Sequence, residues 1–217
     1  MTGKGISGKA RRFMSGSFYE KLNTLTRLFY RLKAACFYRF MFGSCGKRVT
    51  IEKAVLISNP QFIHIGNNVS IRKGVRLEAI VLDPSNPPEI HIGDNVGIEQ
   101  NVHIVCMGKI VIHENVSIAA GSSLLCGTHP FFDVDSPTKI GDRLSGLGSI
   151  IEIGANSLVG VSCVIQMNVK IGRHVVIGAG SVLKRSVPDY SVAEGNPAAV
   201  VMRYDKEKKC WDIVKKQ

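Results

Sequence analysis

One short stretch of this chain carries residue types suited to group transfer: Cys126-Gly-Thr-His-Pro-Phe131. His129 offers an imidazole able to take up and return a proton near neutral pH. It stands before a proline at the mouth of a long non-repetitive excursion, Pro130 to Glu152. Phe131, Phe132, Asp133 and Asp135 give that excursion an aromatic and acidic rim. A lone turn histidine is commonly just solvated, but this placement points to a functional one. The other five histidines have duller positions. His64, His91 and His113 sit at the centre or edge of Ile-x-Ile pairs and are expected to point outward into solvent. His174 occupies a turn, and His103 is a candidate neighbour for His129.

The elements that must hold His129 are legible from a period of six. The run Ile153, Val159, Ile165, Ile171, Ile177 returns an aliphatic at every sixth position, with Ser157, Cys163, Val169, Val175 and Ser181 four places on. Neither a helix nor an alternating strand has that period. It predicts a parallel β-helix of hexapeptide repeats, each hexad giving a short strand and a corner. The same ruler reaches back through Ile112, Ile118 and Leu124, then Ile92, Ile98 and Ile104, then Ile65, Ile71 and Leu77, and more weakly Cys45, Ile51 and Ile57. With three hexads per coil, coils start at 45, 65, 92, 112, 153 and 171. Phase slips fall between coils, where Ile63/Ile65, Ile90/Ile92, Ile110/Ile112 and Ile151/Ile153 restart it. Loops of a solenoid gather on one binding face, so the excursion over 130–152 marks that face.

This reading divides the chain into a basic helical arm (1–44), the solenoid (45–187) and a short C-terminal tail (188–217). The arm is expected to be helical over about 17–42, with Leu22, Leu25, Leu28, Phe29, Leu32, Cys36 and Phe40 recurring at three- and four-residue steps. Arg27, Arg31 and Arg39 form its other face. Its apolar side is expected to pack on the prism or on a neighbouring subunit. Alternatively, the arm lies as a basic amphipathic helix on an anionic membrane. No apolar run of spanning length is read and the N-terminus does not have a leader's pattern, so the protein is expected in the cytoplasm, with peripheral contact at the inner membrane face as the arm's alternative. The formal charge is +11, but the basic residues concentrate at the two ends and are not interleaved with aromatics, which argues against nucleic acid. Six cysteines without a Cys-x-x-Cys pair predict no metal centre; Cys126 and Cys163 fall inside hexads and read as core.

The hexad run, Thr128-His-Pro130 at the excursion's mouth, Ile177-Gly-Ala-Gly-Ser-Val182 and Gly195-Asn-Pro-Ala198 resemble the hexapeptide-repeat acyltransferases, and among them the sugar and polysaccharide O-acetyltransferases close to the maltose and galactoside enzymes. The resemblance covers about 45–203 and implies a left-handed coil, where general rules for parallel crossovers favour the right hand. It implies acetyl-CoA as acyl donor, a sugar or glycan acceptor, a homotrimer with active sites between subunits, and His129 as general base. Asn101 matches the asparagine that contacts the acceptor. Corner amides near Gly160 and Ala179 match the family's pantetheine-binding positions; Lys184 and Arg185, just after the last full hexad, carry charge for the coenzyme's phosphates, and Arg203 or Lys206 for its 3′-phosphate. Leu158 departs from the family's usual tryptophan. An amine acceptor, or a catalytically silent assembly protein, remains an alternative. A zinc carbonic anhydrase on the same solenoid would need His-x4-His, and no two histidines are five apart.

Overall fold

A computed structural model describes residue 15 and residues 17–214. The solenoid forms because every hexad aliphatic finds the one above it. Its first coil is β1 (Ser44–Cys45), β2 (Thr50–Ile51) and β3 (Leu56–Ser58). The second is β4 (Ile63–Ile65), β5 (Ser70–Ile71) and β6 (Arg76–Ala79), and the third β7 (Glu89–Ile92), β8 (Gly97–Ile98) and β9 (His103–Cys106). The fourth is β10 (Lys109–Ile112), β11 (Ser117–Ile118) and β12 (Ser123–Cys126). After the long loop come β13 (Ile150–Ile153), β14 (Leu158–Val159) and β15 (Val164–Gln166), then β16 (Val169–Ile171), β17 (Val176–Ile177) and β18 (Val182–Leu183).

Three parallel sheets result, one per strand of the coil. In the second sheet Ile51, Ile71, Ile98, Ile118, Val159 and Ile177 are register partners in turn, each almost completely buried. Burying each such side chain contributes about 1.5–3 kcal/mol. The Ile-x-Ile restarts put two aliphatics on the inner side of the longer first-sheet strands, and Ile63, Ile65, Ile90, Ile92, Ile110, Ile112, Ile151 and Ile153 are all buried. Cys126 and Cys163 are buried as well. The coil regains its phase at Ile150, two residues before the end of the expected loop.

Beyond the repeat, β19 (Ser191–Gly195) adds to the second sheet and turns back through Asn196-Pro197 into β20 (Ala198–Asp205), followed by β21 (Cys210–Ile213). His64, His91 and His113 point outward as expected, but they are partnered. His64 stacks on His91 with ring centroids 4.7 Å apart, and His91 and His113 lie 3.1 and 3.0 Å from Glu89 and Glu152.

Helix α1 (Phe18–Cys36) starts at a capping box between Ser17 and Glu20. It is shorter than the expected 17–42, because Phe37 leaves helical geometry and a 3-10 turn follows. Its orientation reverses one expectation. Tyr30, Arg31 and the buried Ala34 turn towards the solenoid, while Phe18, Leu22, Leu25, Phe29 and Leu32 are 50–82% exposed. The reason is local. The outward positions of the first two coils beneath the helix are Thr50, Glu52, Ser70 and Arg72, a polar surface that faces the helix's polar side across a cleft. No described helix is long and apolar enough to cross a membrane.

Candidate functional site

The long loop leaves β12 through Gly127 and is pinned at its root. Thr128 and Ser145 exchange two backbone hydrogen bonds of 2.7 and 2.9 Å, forming one antiparallel bridge. Beneath it the buried Met107 fills the space between Gly127 and Gly146, where a Cβ on either glycine would collide with it. Ser149 closes the base, its hydroxyl donating to the Gly146 carbonyl at 2.6 Å.

His129 stands exposed on this root, with Nδ1 2.9 Å from the backbone oxygen of Arg143. A carbonyl only accepts, so Nδ1 carries the proton and the lone pair of the neutral ring is on Nε2. The Arg143 side chain fixes that carbonyl in turn. Nε donates to Thr138 O at 2.7 Å, and the two terminal nitrogens donate to Asp133 O at 2.7 Å and Ser136 O at 3.2 Å. One planar guanidinium thus ties three loop carbonyls, a geometry its fork suits and an ammonium does not. Arg143 is the residue that the sequence did not single out. Its only signal was to be the sole arginine of the excursion.

His103 is placed elsewhere. Its Nε2 lies 2.9 Å from Glu78, which Arg76 also holds at 2.7 Å, so it belongs to an outward cluster on the third sheet and makes no contact with His129. Cys126 lies fully buried behind His129, 3.2 Å from the Ser149 hydroxyl, and cannot reach a substrate as nucleophile. Its neighbour Cys106 has its thiol pushed up by the hydrogen bond to Cys126 and by burial.

Asn101 occupies an exposed left-handed corner between β8 and β9 with φ of 57°. A Cβ at Gly74 one coil earlier would strike its side-chain oxygen. Its amide makes no side-chain hydrogen bond to any described residue. Asn101 and His129 lie on different edges of the prism: Asn101 follows the second sheet and His129 the third.

The tail separates the coenzyme candidates. Gly160 spends its amide on Ile177 O at 2.9 Å, and its carbonyl accepts from Ser122 at 2.8 Å, so it offers a close approach and no free donor. Ala179 is exposed and its N–H has no acceptor among the described residues. Leu158, Val161 and Val176 are exposed nearby in sequence and register. Lys184 and Arg185 are exposed just past β18 and in no ion pair with any described residue. Arg203 is on β20, in the second sheet, so it does not share their face. Among the described residues, no three His, Cys, Asp or Glu side chains come together to hold a metal ion.

Residues 151–185 match the family model described as bacterial transferase hexapeptide (six repeats). A protein of Escherichia coli (strain K12) named as the lipopolysaccharide biosynthesis O-acetyl transferase WbbJ is 27% identical over 192 residues, 87% of this chain and 88% of that protein. The galactoside O-acetyltransferase of the same strain is 31% identical over 161 residues, 74% of this chain and 64% of that one. Among solved structures, the D94N mutant of AntD, an N-acyltransferase from Bacillus cereus crystallised with dTDP and coenzyme A, aligns with a TM-score of 0.64 at 24% identity, covering 76% of this chain and 85% of that one, and shares the fold. The hexad ladder, the loop inserted after its fourth coil and the matched repeat agree: the chain carries the hexapeptide repeat of bacterial transferases over residues 151–185, and its ladder extends that repeat.

Proposed function

We propose that this protein transfers an acetyl group from acetyl-CoA to a hydroxyl of a sugar or polysaccharide precursor, with His129 as general base. The observation that carries the reading is the Nδ1 contact to the Arg143 carbonyl, which leaves Nε2 as the basic nitrogen. The acceptor oxygen attacks the thioester carbonyl as its proton passes to Nε2, and the protonated ring returns that proton to the departing sulfur. Coenzyme A leaves well without covalent catalysis, consistent with the burial of Cys126.

The chain's own residues suit such a donor. Ala179 supplies a free amide for a pantetheine carbonyl, the exposed Leu158, Val161 and Val176 an apolar edge, and Lys184 with Arg185 positive charge for phosphates. In this reading the coil is left-handed, as in the resembling family. Asn101 contacts the acceptor, and a trimer brings the Asn101 edge of one subunit to the His129 edge of the next. The enzyme works in the cytoplasm and at the inner membrane face, where the exposed apolar stripe of α1 meets an anionic leaflet.

A second reading, transfer to an amino sugar, is supported by the N-acyltransferase name of the structural neighbour and by the exposed acidic loop residues Asp133 and Asp135. Thiol release from acetyl-CoA across a panel of glycans, lipid-linked sugars, nucleotide sugars and amino sugars tests both. Turnover with hydroxyl acceptors is expected. Turnover confined to amines replaces the first reading by the second, and no thiol release from any member overturns both.

A further inference from the structure

A cleft of about 560 Å³ lies away from His129, between α1 and the first two coils. Arg27, Arg31, Arg48 and Arg72 line it with a single carboxylate, Glu52. Glu52 is already engaged: Arg72 donates to it at 3.1 Å and the Lys73 amide at 3.0 Å. Arg27, Arg31 and Arg48 make no ion pair with any described residue. Arg31 also buries an Nε that has no hydrogen-bond partner among the described residues. A second cleft of about 370 Å³ adjoins the first, shares Arg31 and Arg48, and adds Arg39 and Lys47.

Like charges gathered this closely repel one another, and a buried guanidinium donor without an acceptor destabilises the fold. An anion between them relieves both. Arg48 sharpens the point, because it sits at a left-handed corner with φ of 59°. The next corners along that edge are Asn68, Asn95, Asn115 and Asn156, the residue type that tolerates this backbone best. His174 and Tyr190, at the far end, stack on each other 5.2 Å apart. Arg48 has neither an easy backbone nor a partner, and strain retained without local compensation points to function.

We infer that this cleft binds a phosphate or diphosphate group, held by Arg31 and Arg48, which line both clefts, together with Arg27. Planar guanidiniums match phosphate oxygens in pairs, and Thr26, Thr50 and Ser70 add hydroxyls to the walls. The group has two possible bearers, a phospholipid headgroup or a soluble diphosphate such as that of a nucleotide sugar. The exposed stripe of α1 beside the cleft suits the first.

The test is calorimetric titration of the full chain with inorganic pyrophosphate, beside sedimentation with phosphatidylcholine vesicles with and without phosphatidic acid. The double variant Arg31→Gln/Arg48→Asn removes the two charges common to both clefts and places the corner's usual residue at 48. It is expected to weaken pyrophosphate binding at least 10-fold with a thermal midpoint no lower than that of wild type, and binding to wild type is expected to weaken steeply with salt. Phosphatidate vesicles that bind wild type but not the double variant assign a lipid bearer, whereas pyrophosphate sensitivity with indifferent vesicles assigns a soluble one. Leu25→Ser/Phe29→Ser should weaken only the vesicle arm. Pyrophosphate binding retained in Arg31→Gln/Arg48→Asn but lost in Lys184→Gln/Arg185→Gln would locate it at the other end and overturn the inference. So would wild-type protein that binds neither probe. No arm uses acetyl transfer, so the inference stands or falls apart from the proposed reaction.

Discussion

Two edges of the prism ask the same thing of the backbone and use it differently. Along the first edge, between the first and second sheets, residues 48, 68, 95, 115, 156, 174 and 190 all have φ between 52° and 59°. Four consecutive corners there are asparagines whose side chains join head to tail, at 2.8, 3.1 and 3.1 Å. Along the second edge Gly74, Asn101, Gly121, Ser162 and Gly180 also have positive φ, yet no chain of side-chain bonds links them. Asn68, Asn95, Asn115 and Asn156 are spent on holding coils together. Asn101 meets the same backbone demand and keeps its amide free. An asparagine at a solenoid corner is therefore informative only when its side chain is unemployed.

The largest effect expected lies on the third edge, which the loop leaves. His129→Ala should lower kcat by at least about 10²-fold while coenzyme A binding, followed by calorimetry, changes little. A variant keeping more than a tenth of wild-type turnover would move the base elsewhere and remove the reason to pair this edge with Asn101.

Next comes the clamp. Arg143→Met should lower kcat on the order of 10–100-fold, because a small displacement of the base is costly, with KM for acetyl-CoA unaffected. Arg143→Lys should not restore it, since one ammonium cannot serve three carbonyls. A lysine variant with full activity would reduce Arg143 to a bystander.

These two residues differ in how visible they are in the sequence. His129 is flanked by a motif and by the end of a strict period, and the period itself is legible because one aliphatic in six must meet its copy a coil away. Arg143 lies where no period operates, and its acceptors at 133, 136 and 138 are backbone oxygens that any residues could supply. The arm shows another limit. Recurrence at 22, 25, 29 and 32 gives a helix with two faces, but which face turns inward depends on the surface opposite, and Thr50, Glu52, Ser70 and Arg72 reveal their outward direction only once the strands are phased. The outward histidines follow from their place in Ile-x-Ile pairs. The neighbour of His113, Glu152, is 39 residues away and is brought close only by the stacking of coils.

The comparison of edges is sharpest with glycine, which satisfies the left-handed corner at either place. Asn115→Gly removes bonds to both Asn95 and Asn156. Stability should fall by about 1–2 kcal/mol, a drop in Tm of about 2–8 °C, with kcat/KM per folded molecule retained. Asn101→Gly should leave Tm nearly unchanged and raise acceptor KM about tenfold, the scale of one lost hydrogen bond. If Asn101→Gly instead lowered Tm as Asn115→Gly does and spared activity, both edges would be structural and the acceptor contact would have to be sought elsewhere.

The smallest effect separates the uncharged ladder from the charged one on the first sheet. There Lys109 and His91 hold the Glu89 carboxyl down to about 2, against an ordinary 4.5. Lys170, with His113 adding to it, lowers Glu152 as well. A carboxylate depressed in the folded state adds stability above its unfolded value and loses it as pH falls towards the folded one. The gap in Tm between wild type and Glu89→Gln should therefore be present above about pH 4.5 and close as pH approaches 2. It should also be small, about 2 °C or less, because the Glu89 side chain is 44% exposed and solvent screens the pair, and it should narrow further in 1 M salt. The Asn115→Gly gap rests on bonds between uncharged amides and should hold steady as pH falls from 5 to 4 and in high salt. A Glu89→Gln gap that persisted at pH 2, or an Asn115→Gly gap that closed with it, would mean that the two ladders do not stabilise the coils by the separate means their chemistry implies.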